Sequence, residues 1–95
     1  MLGFEWDAQK ASRNREKHGI TFIEAVSVFA DEGALLIDDP DHSAEEDRYI
    51  LLGLSSALRI LVVIHSYREK EDIRIISARR ANVHERSRYQ RGWKP

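Results

Sequence analysis

Four short runs of aliphatic and β-branched residues constrain this chain most. They are Ala34–Ile37, Tyr49–Leu54, Arg59–Tyr67 and Ile73–Arg79. Polar, turn-forming segments divide them, which is the pattern of strands. Their short connections favour antiparallel neighbours, because a parallel pairing needs a long crossover. Arg59–Tyr67 is apolar on both faces over its centre, so it should be an interior strand.

A sheet of this kind needs its apolar face covered, and the residues before it supply the cover. Phe4-Glu5-Trp6 is a short strand candidate with two aromatics on one side. Asp7 offers an N-cap for a helix reading AQKASRNREKH, which Gly19 can end in a left-handed conformation. That helix is mostly polar, with Lys10, Arg13 and Lys17 on one face. A second helix reads TFIEAVSVFA. Thr21 and Glu24 form a capping-box pattern, and Phe22, Ala25, Val26 and Phe29 recur at helical spacing as an apolar stripe. At the other end, Asn82 with Glu85 three residues on can cap a last helix through about Arg91. The expected fold class is α+β: an antiparallel β-sheet, two N-terminal helices packed on it and a C-terminal helix beyond.

At 95 residues the chain has room for one domain, 1–95. It has no cysteine, so disulfides, thiolate metal sites and a cysteine nucleophile are excluded. The longest apolar run, Ile60–Ile64, is far too short to span a bilayer. No signal-peptide pattern precedes the first polar residues, so a cytoplasmic location and no membrane contact are expected.

The net charge of −1 hides a segregation. Residues 1–47 hold 4 Lys/Arg against 12 Asp/Glu, and residues 48–95 hold 11 against 4. A polyanion-binding surface and mutual neutralisation of the halves both fit that division. The acidic segment DDPDHSAEED reads as a solvated loop. It lacks the glycine and ligand spacing of an EF-hand, and no metal is expected.

Chemistry concentrates in RIISARRANVHERSRYQ, residues 74–90, which carries five arginines against one acid. Strict alternation would put Ile73, Ile75, Ser77 and Arg79 on one strand face and Arg74, Ile76, Ala78 and Arg80 on the other. On the following helix, His84, Arg88 and Arg91 share one side. Asn82, Arg86, Tyr89 and Trp93 share the opposite side. Guanidinium groups suit phosphate because the planar fork donates two hydrogen bonds and stays charged. An aromatic beside them can stack on an unpaired base, although Tyr89 and Trp93 at this spacing favour packing. His18, His42, His65 and His84 are the acid/base candidates, although a lone histidine at an element end is more often structural. No nucleophile elbow, Walker loop or His-Glu-x-x-His is present.

Taken in order, FEWDAQKASRNREKHGITFIEAVSVFAD, EDRYILLGLS and RIISARRANVHERSRY resemble the BrnT family of bacterial type II toxins over nearly the whole chain. The resemblance implies a RelE-like fold and a ribonuclease that cuts RNA without a metal or other cofactor. It also implies a BrnA-like antitoxin partner, through which alone the system would touch DNA. On that basis Arg79 and Arg80 are expected as phosphate clamps. His18, Lys17 and His65 are the proton-transfer candidates, and Arg74, His84, Arg86, Arg88, Tyr89 and Arg91 the RNA-binding residues. Two alternatives stand beside it. One is a family member of the same fold that binds RNA or its partner without cutting. The other is a helix-turn-helix over residues 7–30, disfavoured because its second helix has an apolar stripe to bury and no basic residue for a major groove.

Overall fold

The computed structural model describes residues 3–38, 47–68 and 72–92. The strands are Gly3–Glu5 (β1), Leu35–Asp38 (β2), Tyr49–Leu54 (β3), Ile60–Arg68 (β4) and Asp72–Arg80 (β5). They form one sheet in the order β1-β5-β4-β3-β2. β2 to β5 make an antiparallel meander with β4 interior, as its two apolar faces require. β1 departs from the expectation. It lies parallel to the outer edge of β5, with Phe4 opposite Ile73, so the sheet is mixed. A parallel neighbour needs a long connection, and here almost the whole chain serves as one.

The helices begin and end on the chemistry read from the sequence. Asp7 caps Ala8–His18 (α1) by accepting from the Gln9 amide at 2.8 Å, and Gly19 closes it at φ 72°. Thr21 caps Phe22–Ser27 (α2), which runs into a 3₁₀ turn over Val28–Ala30. Val83–Arg91 (α3) starts at a complete capping box of Asn82 and Glu85.

Each sheet face has its own core. Ile20, Phe22, Ala25 and Val28 cover Leu51, Leu61, Val63, Ile73, Ile75 and Ala78 on one side. Phe22 and Ala25 are therefore buried on the sheet rather than offered to a groove, which disposes of the helix-turn-helix. Leu35, Leu52, Val62 and Ala81 form the second cluster, with Ile50, Ile60 and Tyr89 packed against it. Gly53 is obligatory between them: a Cβ there would meet Ala34 Cβ at 2.8 Å and Val28 Cγ1 at 2.9 Å.

The simple alternation along β5 fails at one residue. Ile64 faces Ser77 while His65 faces Ile75, which leaves Ile76 as a bulge without a partner on β4. A bulge resets which side each later residue takes. Ile73, Ile75, Ala78 and Arg80 consequently share the helix-covered face, and Ser77 and Arg79 point to the α3 side. Asn14, which is buried, secures the strand beyond the bulge. Its amide nitrogen donates to the carbonyls of Ile20 and Ala78 at 2.9 Å, and its oxygen accepts from the Ala78 amide at 3.0 Å. β1 has ended at Glu5, opposite Arg74, so this side chain stands in for the strand that no longer flanks β5.

Tyr89 ties α3 down. Its hydroxyl donates to Asp31 Oδ2 at 2.7 Å, and that oxygen also accepts from the Leu54 amide at 2.8 Å. Burial alone would raise the Asp31 carboxyl, but the hydrogen bonds from Leu54, Tyr89 and Gly33 outweigh it and hold it low. The same contact pushes the Tyr89 phenol up to about 12. The folded value lies above the ordinary value near 10, so this stabilisation is complete below about pH 10 and fades as pH rises towards the folded value. Tyr89→Phe should lose about 1.5 kcal/mol at pH 7 and shed part of the alkaline loss of stability. Denaturant melts of both proteins from neutral to alkaline pH measure this, and parallel pH curves would contradict it.

Candidate active site

The carboxyl end of β5 brings several of the expected residues together and separates others. Arg79 turns towards α3 and makes a two-pronged pair with Glu85, both N–O distances being 2.8 Å. Glu85 also accepts from the Asn82 amide at 2.8 Å, so one carboxylate caps the helix and anchors the arginine. The Arg79 side chain stays 40% exposed. The Arg79 guanidinium holds Glu85 below the usual carboxylate range, and Glu85 in turn raises Arg79. The arginine expected as a phosphate clamp is thus bound to the helix that follows it.

Arg80 is exposed on the other face. It borders a cleft of about 240 Å³ lined by Leu58, Arg59, Ile60, Arg80, Ala81 and Arg86. Three arginines thus line it. Arg86 is steadied by donating to the Ala81 carbonyl at 2.9 Å. Arg59 donates from Nε to Glu24 Oε2 at 3.0 Å and from its NH2 nitrogen to Glu24 Oε1. Glu24 is lowered first by Arg59 and further by the Ser55 hydroxyl, with a contribution from the charge of Arg80. The capping box read at Thr21 and Glu24 is therefore only half made. Thr21 accepts from the Glu24 amide at 3.1 Å, while the Glu24 carboxylate leaves the helix end for Arg59 and Ser55.

Of the proton-transfer candidates, His65 lies apart from this cleft. His65 has no exposed surface. Its ring meets Phe29 edge-on at 4.9 Å, and Tyr67 hydroxyl lies 3.3 Å from Nε2. Burial pushes the imidazole below its ordinary value, which favours the neutral ring. In the sheet register Arg80 faces Leu61, four residues before His65, so the two are separated by roughly 13 Å along the strand. Lys17 is exposed and His18 half-buried in the last turn of α1, where Arg15, Lys17 and His18 offset the negative end of the helix dipole.

Arg74 pairs opposite Ser66 and Glu5 at the far end of β5 from Arg80. His84, Arg86, Arg88 and Arg91 are all exposed on α3, with Arg91 donating to Ser87 Oγ at 3.0 Å. Tyr89 is committed to Asp31 and to the second core cluster, the packing role its spacing favoured. His42, Trp93 and most of the acidic segment lie outside the described residues. Among the described residues no three His, Asp or Glu side chains converge as a metal site. Among them, too, no helix is long and apolar enough to cross a membrane.

Sequence reasoning missed Arg59, Glu24 and Leu58. A usable signal was present: the β3–β4 hairpin, Ser55-Ser-Ala-Leu58, has no Gly, Asn or Asp where a tight turn ordinarily calls for one.

A mixed sheet with two helices on one face and a short basic helix on the other defines a small α+β protein of the RelE-like kind, with an arginine-rich surface at one sheet end. The chain belongs to the BrnT family: residues 6–85 match the family described as "Ribonuclease toxin, BrnT, of type II toxin-antitoxin system". A crystal structure of the Brucella abortus ribonuclease toxin BrnT is similar to it, with a TM-score of 0.66 and 25% identity. That match covers 86% of this chain and 99% of the Brucella chain. No curated protein matched it significantly.

Proposed function

We propose that this protein is a metal-independent endoribonuclease whose working surface is the carboxyl end of β5 with the adjoining face of α3, and that a BrnA-like antitoxin neutralises it. Membership of a ribonuclease-toxin family supports the activity. The observation that carries the location is that Arg80, Arg86 and Arg59 line one cleft, where Glu24 pairs with Arg59.

In the reaction this surface suits, the 2′-hydroxyl of RNA gives its proton to a base as its oxygen bonds to phosphorus. The bond from phosphorus to the 5′ oxygen breaks, and that oxygen takes up a proton. The products are a 2′,3′-cyclic phosphate and a 5′-hydroxyl. Charge accumulates on the non-bridging oxygens in the transition state, where preorganised guanidinium donors act most strongly. Lys17 and His18 are the proton carriers that solvent reaches. His65 connects to the surface through the Tyr67 hydroxyl.

The test is single-stranded RNA incubated with the purified protein in excess EDTA. Cleavage should persist, leave cyclic-phosphate ends, spare DNA and stop when the antitoxin is added. Loss of cleavage in EDTA, or 3′-hydroxyl ends, contradicts the reading. So does a protein that binds its antitoxin but leaves RNA intact, since that is a family member which binds without cutting.

A further inference from the structure

The β3–β4 hairpin closes with a hydrogen bond from the Ser55 amide to the Arg59 carbonyl at 2.8 Å, and inside it the Leu58 amide donates to the Ser55 carbonyl at 2.9 Å. A three-residue loop of this type ends in a left-handed residue, a place ordinarily left to glycine. Here it is Leu58, at φ 62°, the one non-glycine residue of positive φ among those described. The residue is 79% exposed, so packing does not explain why a branched residue is kept in a conformation that disfavours it. Residues held in such conformations without a packing return tend to serve a site. Leu58 stands at the lip of the arginine cleft.

The rest of the cleft is built rather than incidental. Glu24 takes two of the donor nitrogens of Arg59, Nε and one terminal nitrogen, which fixes the plane of the guanidinium and leaves the other terminal nitrogen for a ligand. Glu24 is itself held by the Ser55 hydroxyl at 2.7 Å, from the same hairpin that carries Leu58. The position of Leu58 and the aim of Arg59 are therefore set by one network. Ile60 and Ala81 give the cleft an apolar floor. At about 30 Å³ per water, its roughly 240 Å³ holds the volume of about eight waters, room for more than a simple ion.

Resting on the ribonuclease reading above, we propose that this cleft is a nucleotide subsite for single-stranded RNA. Arg59, Arg80 and Arg86 grip one backbone phosphate, and Leu58 packs against the attached sugar or base. Glu24 is a positioning residue that aims Arg59. The apolar lip beside fixed guanidinium groups distinguishes this site from a merely basic surface, which would hold phosphate without contacting the nucleoside.

The experiment measures binding of a 2′-O-methyl RNA oligonucleotide, which cannot be cleaved, by fluorescence anisotropy across a salt series, with a thermal melt on every variant. Leu58→Gly should bind about fivefold more weakly while its Tm equals or exceeds that of the wild type, because glycine relaxes the left-handed residue. Arg59→Gln and Arg86→Gln should each weaken binding about tenfold and flatten the plot of log Kd against log salt by about 0.7, the loss of one phosphate contact to a single strand. Glu24→Gln should weaken binding but keep the wild-type salt slope, since Arg59 retains its charge and loses only its aim. Arg68→Gln, at the far end of β4, should bind as the wild type does.

If the wild type cleaves RNA while all the cleft variants bind it normally with unchanged slopes, the subsite is wrong and the ribonuclease reading survives. If Leu58→Gly alone is normal, the nucleoside contact is wrong. If the wild type neither binds nor cleaves RNA, both ideas fall together.

Discussion

Replacing Asn14 with Ala should destabilise the protein by about 3 kcal/mol, the largest effect expected of any single side-chain truncation on α1. The residue sits on a mostly polar helix, but its amide serves three buried backbone groups: the carbonyls of Ile20 and Ala78 and the N–H of Ala78. Alanine would leave all three unsatisfied, at about 1–3 kcal/mol for each group that water does not reach. Against a total stability of about 5–15 kcal/mol that is a large share. For a domain of this size it corresponds to a fall in Tm of about 12–24 °C. Asn14→Asp should not rescue it. A carboxylate can accept from the Ala78 amide but has no proton for either carbonyl, and it adds a charge beside the core. Thermal and denaturant melts of the two variants measure this directly. A fall in Tm of less than about 5 °C for Asn14→Ala would mean that water or a shifted strand satisfies those groups, and that Asn14 does not replace a missing neighbour of β5.

What could be read from the sequence was set by local chemistry. Asp7, Gly19 and the Asn82–Glu85 box mark helix ends through contacts a few residues long, and the observed helices start and stop on them. The doubly apolar centre of Arg59–Tyr67 placed β4 inside the sheet for an equally local reason. The misses share a different cause. Nothing within three residues of Ile76 announces a bulge; it arises from how two strands of fixed length meet Asn14 and the end of β1. The parallel placement of β1 depends on the length of the chain between it and β5 rather than on its three residues.

The site follows the same division. An excess of arginine at the end of β5 is visible in composition, but which arginine is free depends on its partner. Glu85 is six residues from Arg79, and its fit to the capping box made it look fully employed. Glu24 lies 35 residues from Arg59, so their pairing could not be read from spacing. A carboxylate that seemed to cap a helix instead orients a guanidinium across the fold, and that long-range exchange makes the cleft.

Arg79 and Arg80 are adjacent in sequence, and their substitutions should separate cleanly. Arg80→Ala should lower single-turnover cleavage of RNA about 100-fold, the loss expected for one well-placed donor to transition-state charge. Its Tm should hardly move, because Arg80 is exposed and its link to Glu24 is a through-space attraction rather than a hydrogen bond. Arg80→Lys should recover only part of the rate, since an ammonium is a point donor and cannot reproduce the planar fork. Arg79→Ala should do the reverse. It removes both prongs from Glu85 and the bond to the Arg80 carbonyl, so α3 should loosen. Stability should fall by about 1 kcal/mol, a partly exposed pair being worth no more. Its effect on cleavage should then be smaller than that of Arg80→Ala and should shrink as temperature is lowered and α3 reseats. Cleavage rates at two temperatures, with a melt on each variant, distinguish the pair. Should Arg79→Ala abolish cleavage at full stability while Arg80→Ala cuts normally, the roles assigned to the two faces of β5 are exchanged. In that event the catalytic phosphate lies on the α3 side of the sheet, where Glu85 must release Arg79 for substrate to bind.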